Sequence, residues 1–495
     1  MNNKLEFIEE PFLEFGYSQK ATDPRNGLAL FGPYDFNHPS RPGKINHAVI
    51  GSEVGVGMFK RWSKHWVKPI MPEKDMNPKI WPFFPGIEAV FDIQWDTNPI
   101  HEKMLDINIL TTAVEEKDLN SRVKKVVDLY VEQLKQLNDS DERIDLVICM
   151  VPNFVFQNCR PKSVGKKRKP KKNPQMSLFG NNDDEEELAS DFRRQIKARA
   201  MDFNIPIKII RESTLALTKE EVDEAYLKYK HGVTPASDRA WNIATTANYK
   251  AGGKPWKLSG VRDGVCYIGL AFRLTPDRIS QNGKLSACCA AQMFLKDGDG
   301  VVFKGDDGLW YSPETKIFHL DKTGAEKLLK GVLQSYQTMG GKPLTEVFVH
   351  CPSGLSEEEY KGFCEAVPKG TKVIVVRIKR DTSFRLLRKG EWPIPRGSFM
   401  QISNTSGYLW ASGFKFELST YDGTEVPVPL KIDILYGESD ISTVAKDILG
   451  LTKLNYNACK YGESDPVTIK FADAVGEILV SNNIQKAKPQ FKYYI

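Results

Sequence analysis

From residue 264 onward the chain runs through three strand-like segments, GVCYIGLAFRL, SACCAAQMFL and GVVFKG, before any helical pattern intervenes. Alternation then sets in. A helix is predicted at 324–339, a strand at 345–351, a helix at 356–367, a strand at 372–379 and a last helix near 471–480. Short connections force neighbouring strands to pair antiparallel, whereas strands separated by helices can lie parallel. Few sheet topologies satisfy both demands within one stretch of chain.

Three antiparallel strands followed by alternating helices and strands is the order of a ribonuclease-H-like fold. The first half has a different rhythm. HAVIGS at 47–52 reads as a short strand, and 121–137 carries Val123, Val126, Val127, Tyr130, Val131 and Leu134 at helical spacing. IDLVICMV at 144–151 is a continuous apolar run of the kind found in a buried parallel strand. A basic helix at 190–203, SDFRRQIKARAMDF, and a strand at 205–211 follow, with Ser190 or Asp191 as the N-cap. The expected fold class is α/β: a doubly wound, Rossmann-like unit and then a ribonuclease-H-like one. The first forty residues, rich in Gly, Pro, Asp and Asn, read as turns.

Composition excludes more than it selects. At 495 residues the chain has room for two or three domains, and 41% hydrophobic residues is ordinary globular usage. No apolar run approaches the roughly 20 residues of a membrane span, and the N-terminus shows no secretory apolar core. Eight cysteines without Cys-x-x-Cys spacing predict a reduced, cytoplasmic protein lacking structural zinc. The net charge of +6 is compatible with nucleic acid without demanding it. Between about 162 and 190 a basic block, the island QMSLF and an acidic block follow one another, a composition expected of a disordered loop. QMSLF resembles the Gln-x-x-Leu-Phe peptide that bacterial proteins dock on the replication clamp; folding back onto its own domain is the plainer expectation.

Several strings in the second half resemble the Argonaute family. TTANYKAGGKPWKL at 245–258 is similar to the segment joining the MID and PIWI domains, and WPIPRGSFM at 392–400 and ILGLTKLNYNACKY at 448–461 resemble later PIWI landmarks. Residues 10–35 and the terminal FKYYI resemble the two ends of short prokaryotic Argonautes. The resemblance implies a MID domain over 1–240 and a PIWI domain over 241–495, with no room for the N and PAZ domains of long members.

The resemblance also implies a pocket for the 5′-phosphate of a guide strand. Arg193 and Lys197, four apart on the basic helix, leave the same face. Such a face is usually merely solvated, so the spacing acquires meaning only in the family's register. There, Lys208 and Lys250 complete the pocket, and Gly252 and Gly253 let the backbone approach the phosphate. Arg199 points elsewhere and is expected to be structural. The C-terminal carboxylate of Ile495 is expected to hold Mg2+ bridging guide phosphates. Arg396, Tyr456 and Asn457 are candidates for contacts further along the nucleic acid.

Cleavage by the family needs clustered carboxylates holding two metals. Here Ala271 in YIGLAF and Pro352 in VHCPSG fall at the first two carboxylate positions, and Asp297 and Asp299 lie in a turn near the third. Asp473 in KFADAV falls at the fourth, and one carboxylate cannot hold two metals. The expectation is a guide-RNA-binding protein that recognises single-stranded DNA without cutting it. An APAZ-domain effector, most like the TIR group that depletes NAD, would then act and assemble into a higher oligomer. Sirtuin-like or nuclease effectors, a divergent guided nuclease and an unguided scaffold are the alternatives.

Overall fold

The computed structural model describes residues 4–160, 191–223, 233–260, 262–279, 285–294, 300–304, 309–312, 317–338, 342–481 and 487–495. The charged loop with its QMSLF island, and Asp297 and Asp299, lie outside them.

The first sheet is built from His47–Gly51, His101–Met104, Leu146–Val151 and Ile207–Arg211. All neighbours are parallel, in the spatial order second, first, third, fourth. Every residue of Leu146–Val151 is buried because both faces are covered. Val147 and Cys149 pack with Val126, Tyr130 and Leu134 of the helix Leu119–Asn138. Ile148 and Met150 face Phe59 and Trp62 of the helix Glu53–Trp66. The helix Leu119–Asn138 begins where the Asp118 carboxylate accepts from the Ser121 N–H. Its Tyr130 hydroxyl donates to the Met150 carbonyl at 2.7 Å, fixing helix to strand.

The second sheet has eleven strands among the described residues. Val265–Ile279 lies at its centre, antiparallel to Leu285–Phe294 and parallel to Glu346–Cys351, which is parallel to Lys372–Arg380. Gly300–Lys304 pairs antiparallel with Leu285–Phe294. The order of these five strands agrees with the pattern read from the sequence. The helices Lys322–Thr338 and Glu357–Ala366 cover one face. Val467–Val480 covers the other, burying Phe471 and Val475 against Tyr267 and Phe294.

Three local expectations change. The opening residues are not all turns: Pro24–Phe31 is a helix with proline in its first turn and Asp23 as its cap. The expected boundary at 240/241 falls inside a continuous helix, Ala236–Lys250. That helix is buried on nearly every side, so it has no polar stripe to betray it in the sequence. The N-terminal strand Lys4–Phe7 also belongs with the second sheet, pairing with Ser398–Gln401. One apolar core, containing Val49 and Trp62 as well as Tyr267 and Phe348, runs between the two sheets.

Candidate functional site

The basic helix, Phe192–Ala200, starts at Asp191, whose carboxylate accepts from the Arg193 N–H at 2.8 Å. Arg194 ties it to Glu477 of the last helix at 2.7 Å. Arg193 is exposed, whereas Lys197, one turn on, points inward and is only 8% accessible. Lys250, the last residue of Ala236–Lys250, is fully buried. Lys208 is half-buried on the strand Ile207–Arg211.

These four cations act on one another. Lys197 is repelled by Arg193, Lys250 and Lys208, and Lys250 by Lys208, Lys492 and Arg193. Asp191 opposes this repulsion at Lys197 but is the smallest of the charges acting on it. Burial, then these like charges, holds the Lys197 and Lys250 ammonium groups well below the ordinary lysine range. Burial, then Arg193, brings Lys208 down to about 7. A buried charge without a counter-charge costs several kcal/mol. An anion placed among these side chains would offset their mutual repulsion.

The C-terminus lies against this cluster. Lys197 Nζ donates to the Tyr494 carbonyl at 2.9 Å and Lys250 Nζ to the Lys492 carbonyl at 2.8 Å. Ile495 follows, 3% accessible. Lys208 Nζ donates to Asn457 Oδ1 at 2.9 Å and Thr246 Oγ1 at 3.2 Å. The structure thus brings together Arg193, Lys197, Lys208, Lys250, Asn457 and the chain terminus. Gly252 adopts φ +106°, a backbone that side-chain-bearing residues rarely accept, just after the helix that ends at Lys250. At Gly253 a Cβ would meet Asn248 Oδ1 at 2.4 Å, so any side chain there would have to displace Asn248.

Two expected nucleic-acid contacts are corrected. Arg396 is 3% accessible and its guanidinium is consumed internally. It pairs with Glu10 at 2.9 Å, donates to the Glu463 carbonyl at 3.0 Å and to Thr452 Oγ1 at 2.5 Å, and reaches the Ala411 carbonyl. Tyr456 is 1% accessible, its ring against Tyr249 and Trp256 and its hydroxyl on the Trp256 carbonyl at 2.5 Å. Both are structural. Arg199 pairs with Asp128, as its other-face position suggested.

On the second sheet, Gly269 pairs with His350 across adjacent parallel strands. Ala271 and Pro352 each lie two residues beyond that pair, Pro352 just past the end of its strand. Ala271 is buried opposite Ala290, and Pro352 is exposed at the end of its strand. Asp473 lies on Val467–Val480, the helix across the sheet face. Among the described residues no three His, Cys, Asp or Glu side chains gather to hold a metal.

What the sequence did not disclose is mostly main chain. The carbonyls of Lys492 and Tyr494 have no signature, and neither does the open pocket of about 280 Å³ beside Lys208. Phe156, Arg193, Arg211, Thr214 and Asn242 help line that pocket, with the Arg211 guanidinium 4.3 Å from the centre of the Phe156 ring. No helix among the described residues is long and apolar enough to cross a membrane.

No protein-family model matches the chain. Its sequence is 22% identical over 244 residues to "Protein argonaute" of Aquifex aeolicus, covering 48% of this chain and 31% of that protein. The structure matches Clostridium butyricum Argonaute bound to a guide DNA and a 19-mer target DNA, with TM-score 0.64 and 17% identity over 100% of this chain and 55% of that one. Drosophila Piwi matches with TM-score 0.58 and 14% identity, over 99% and 56%. The chain spans about half the length of the solved structures it matches. It is a mixed α/β protein with an Argonaute-like fold.

Proposed function

We propose that this chain is a guide-binding Argonaute of the short prokaryotic kind. In this reading the parallel-sheet unit is a MID domain and the central strands of the second sheet are a ribonuclease-H-like PIWI domain. The observation that carries the reading is the gathering of the buried Lys197 and Lys250 and the half-buried Lys208, which repel one another, with Arg193 beside the C-terminal residues. The group that satisfies such a site is a compact anion of high charge, and in this reading it is the 5′-phosphate of a guide RNA. The guide then selects complementary single-stranded DNA by base pairing.

Mg2+ fits this place only together with the guide. The ion accepts one or two carboxylates plus phosphates and waters. The Lys492 and Tyr494 carbonyls already accept from lysines, so the ion's ligands would come chiefly from phosphates and waters. The ion would neutralise phosphate charge there.

With Ala271 and Pro352 at the level of the expected carboxylates, the chain binds its target and leaves it intact. The output comes from a separate cytoplasmic chain, an APAZ-domain partner whose TIR-type effector hydrolyses NAD once targets assemble the complexes. The experiment loads the protein with a 5′-phosphorylated RNA and offers labelled single-stranded DNA, matched or scrambled, with Mg2+. The reading expects retention of the matched strand at full length. Cut strands would return the chain to the nucleases, and equal loss of both strands would leave it a scaffold.

A further inference from the structure

The two most deeply buried lysines of the cluster each donate a hydrogen bond to the C-terminal main chain. Lys197 Nζ meets the Tyr494 carbonyl and Lys250 Nζ the Lys492 carbonyl. An ammonium has three donors, so each lysine retains two after satisfying the tail. Lysine is a flexible four-carbon stem, and fixing its head before the ligand arrives lowers the ordering cost of binding. The question is what fixes the tail.

Its near end is anchored to the second sheet. The Phe491 ring packs edge-on against Phe294 and Phe471, with centroids 5.0 and 5.1 Å apart, and Gln490 bridges to Val301. The Tyr494 hydroxyl turns back to the Lys488 carbonyl at 2.8 Å, a bond within the tail itself. Tyr493 reaches the other unit. Its hydroxyl lies 2.9 Å from Asn204 Oδ1 and 3.2 Å from the Asn204 carbonyl. Asn204 ends the turn Met201–Phe203 that continues the basic helix, in a left-handed conformation with φ 55°. One hydroxyl thus joins the end of the helix that carries Arg193 and Lys197 to the residue between the two lysine-binding carbonyls.

We propose that Tyr493 is a positioning residue for the anion site: by clasping Asn204 it holds the Lys492 and Tyr494 carbonyls on Lys250 and Lys197, and so sets the aim of both ammonium groups. The tail is then part of the pocket's wall and its alignment device. The inference rests on the 5′-phosphate reading and adds to it a residue that touches neither lysine side chain nor ligand.

The test measures, for the full chain, the affinity of one RNA ending in a 5′-phosphate or a 5′-hydroxyl, together with the melting temperature. Tyr493→Phe keeps the buried ring and deletes the clasp. Asn204→Gly removes the Oδ1 acceptor while preserving the backbone conformation. The ratio of the two affinities should fall about 3- to 10-fold in Tyr493→Phe, the scale of one neutral hydrogen bond transmitted to the site. Asn204→Gly should lower it in the same direction, and a variant that melts near the wild type makes the loss one of aim and not of folding. Wild-type discrimination retained in both variants overturns the inference and leaves the phosphate reading intact. A wild type that does not discriminate overturns the phosphate reading, and the inference with it.

Discussion

Raising the pH should loosen the grip on a 5′-phosphate, and Lys208 sets the scale. Its amine is brought down to about 7 because burial and then Arg193 disfavour the charged form. A phosphate favours that form, so binding takes up a proton whenever the amine starts neutral. At pH 7 this is roughly half a proton, and by pH 8.5 nearly one. If the bound amine stays charged throughout, affinity falls by about 15-fold between those two values from Lys208 alone. Lys197 and Lys250, displaced in the same direction, make the fall steeper. Below roughly pH 6 the phosphate itself begins to lose its second charge, which puts the optimum between about 6 and 7. The assay is the ratio of 5′-phosphate to 5′-hydroxyl affinity across pH 6–9, with calorimetry in two buffers of different ionisation heat to count protons. Lys208→Met should flatten part of the slope. A ratio that stays constant from pH 7 to 8.5, or proton release on binding, would refute the argument.

The same displacement has a signature without ligand. A lysine whose folded value lies below its unfolded one binds fewer protons folded than unfolded between the two values. The protein assayed without RNA should therefore gain stability as pH rises from about 7 towards 10.5 and feel the full repulsion below about 7, read as melting temperature against pH. Arg396→Ala should destabilise by roughly 3–5 kcal/mol, because Glu10 is left with Lys453 as its remaining partner in a buried network. Denaturant midpoints check this, and guide affinity per folded molecule should stay put. Gly252→Ala should cost roughly 1–3 kcal/mol through backbone strain alone, since a Cβ there meets no atom within 4 Å. Gly253→Ala, colliding with Asn248, should cost more by the same denaturant measurement.

The sequence disclosed those parts of the molecule whose physics is periodic. The apolar run ending at Val151 and the helical stripe from Val123 to Leu134 gave their elements because each has to bury a face. The cysteines read as small hydrophobes are mostly that: Cys149, Cys159, Cys266, Cys351 and Cys459 are buried and unpaired, with Cys364 exposed. The helix Ala236–Lys250 escaped because burial on nearly every side erases periodicity. Arg396 and Tyr456 misled for a related reason: a motif names residue types, and an arginine satisfied by Glu10 and backbone carbonyls spells the same as one awaiting a phosphate. The lysines were legible as positions and their pocket only through the family resemblance, and the tail carbonyls that orient two of them leave no trace in any side chain.

The central claim is that the lysine cluster receives a 5′-phosphate, and competition between two RNAs identical except for a 5′-phosphate or 5′-hydroxyl tests it most directly. Wild type and Lys197→Ala/Lys250→Ala would be compared, each with its partner chain if one co-purifies. Each lost charge-assisted contact is worth roughly 1.5–3 kcal/mol. The account predicts a clear phosphate preference in the wild type and a loss of at least about tenfold in the double variant. Equal binding of both RNAs, unchanged by the substitutions, would contradict it and leave an Argonaute-like scaffold whose basic cluster serves some other anion.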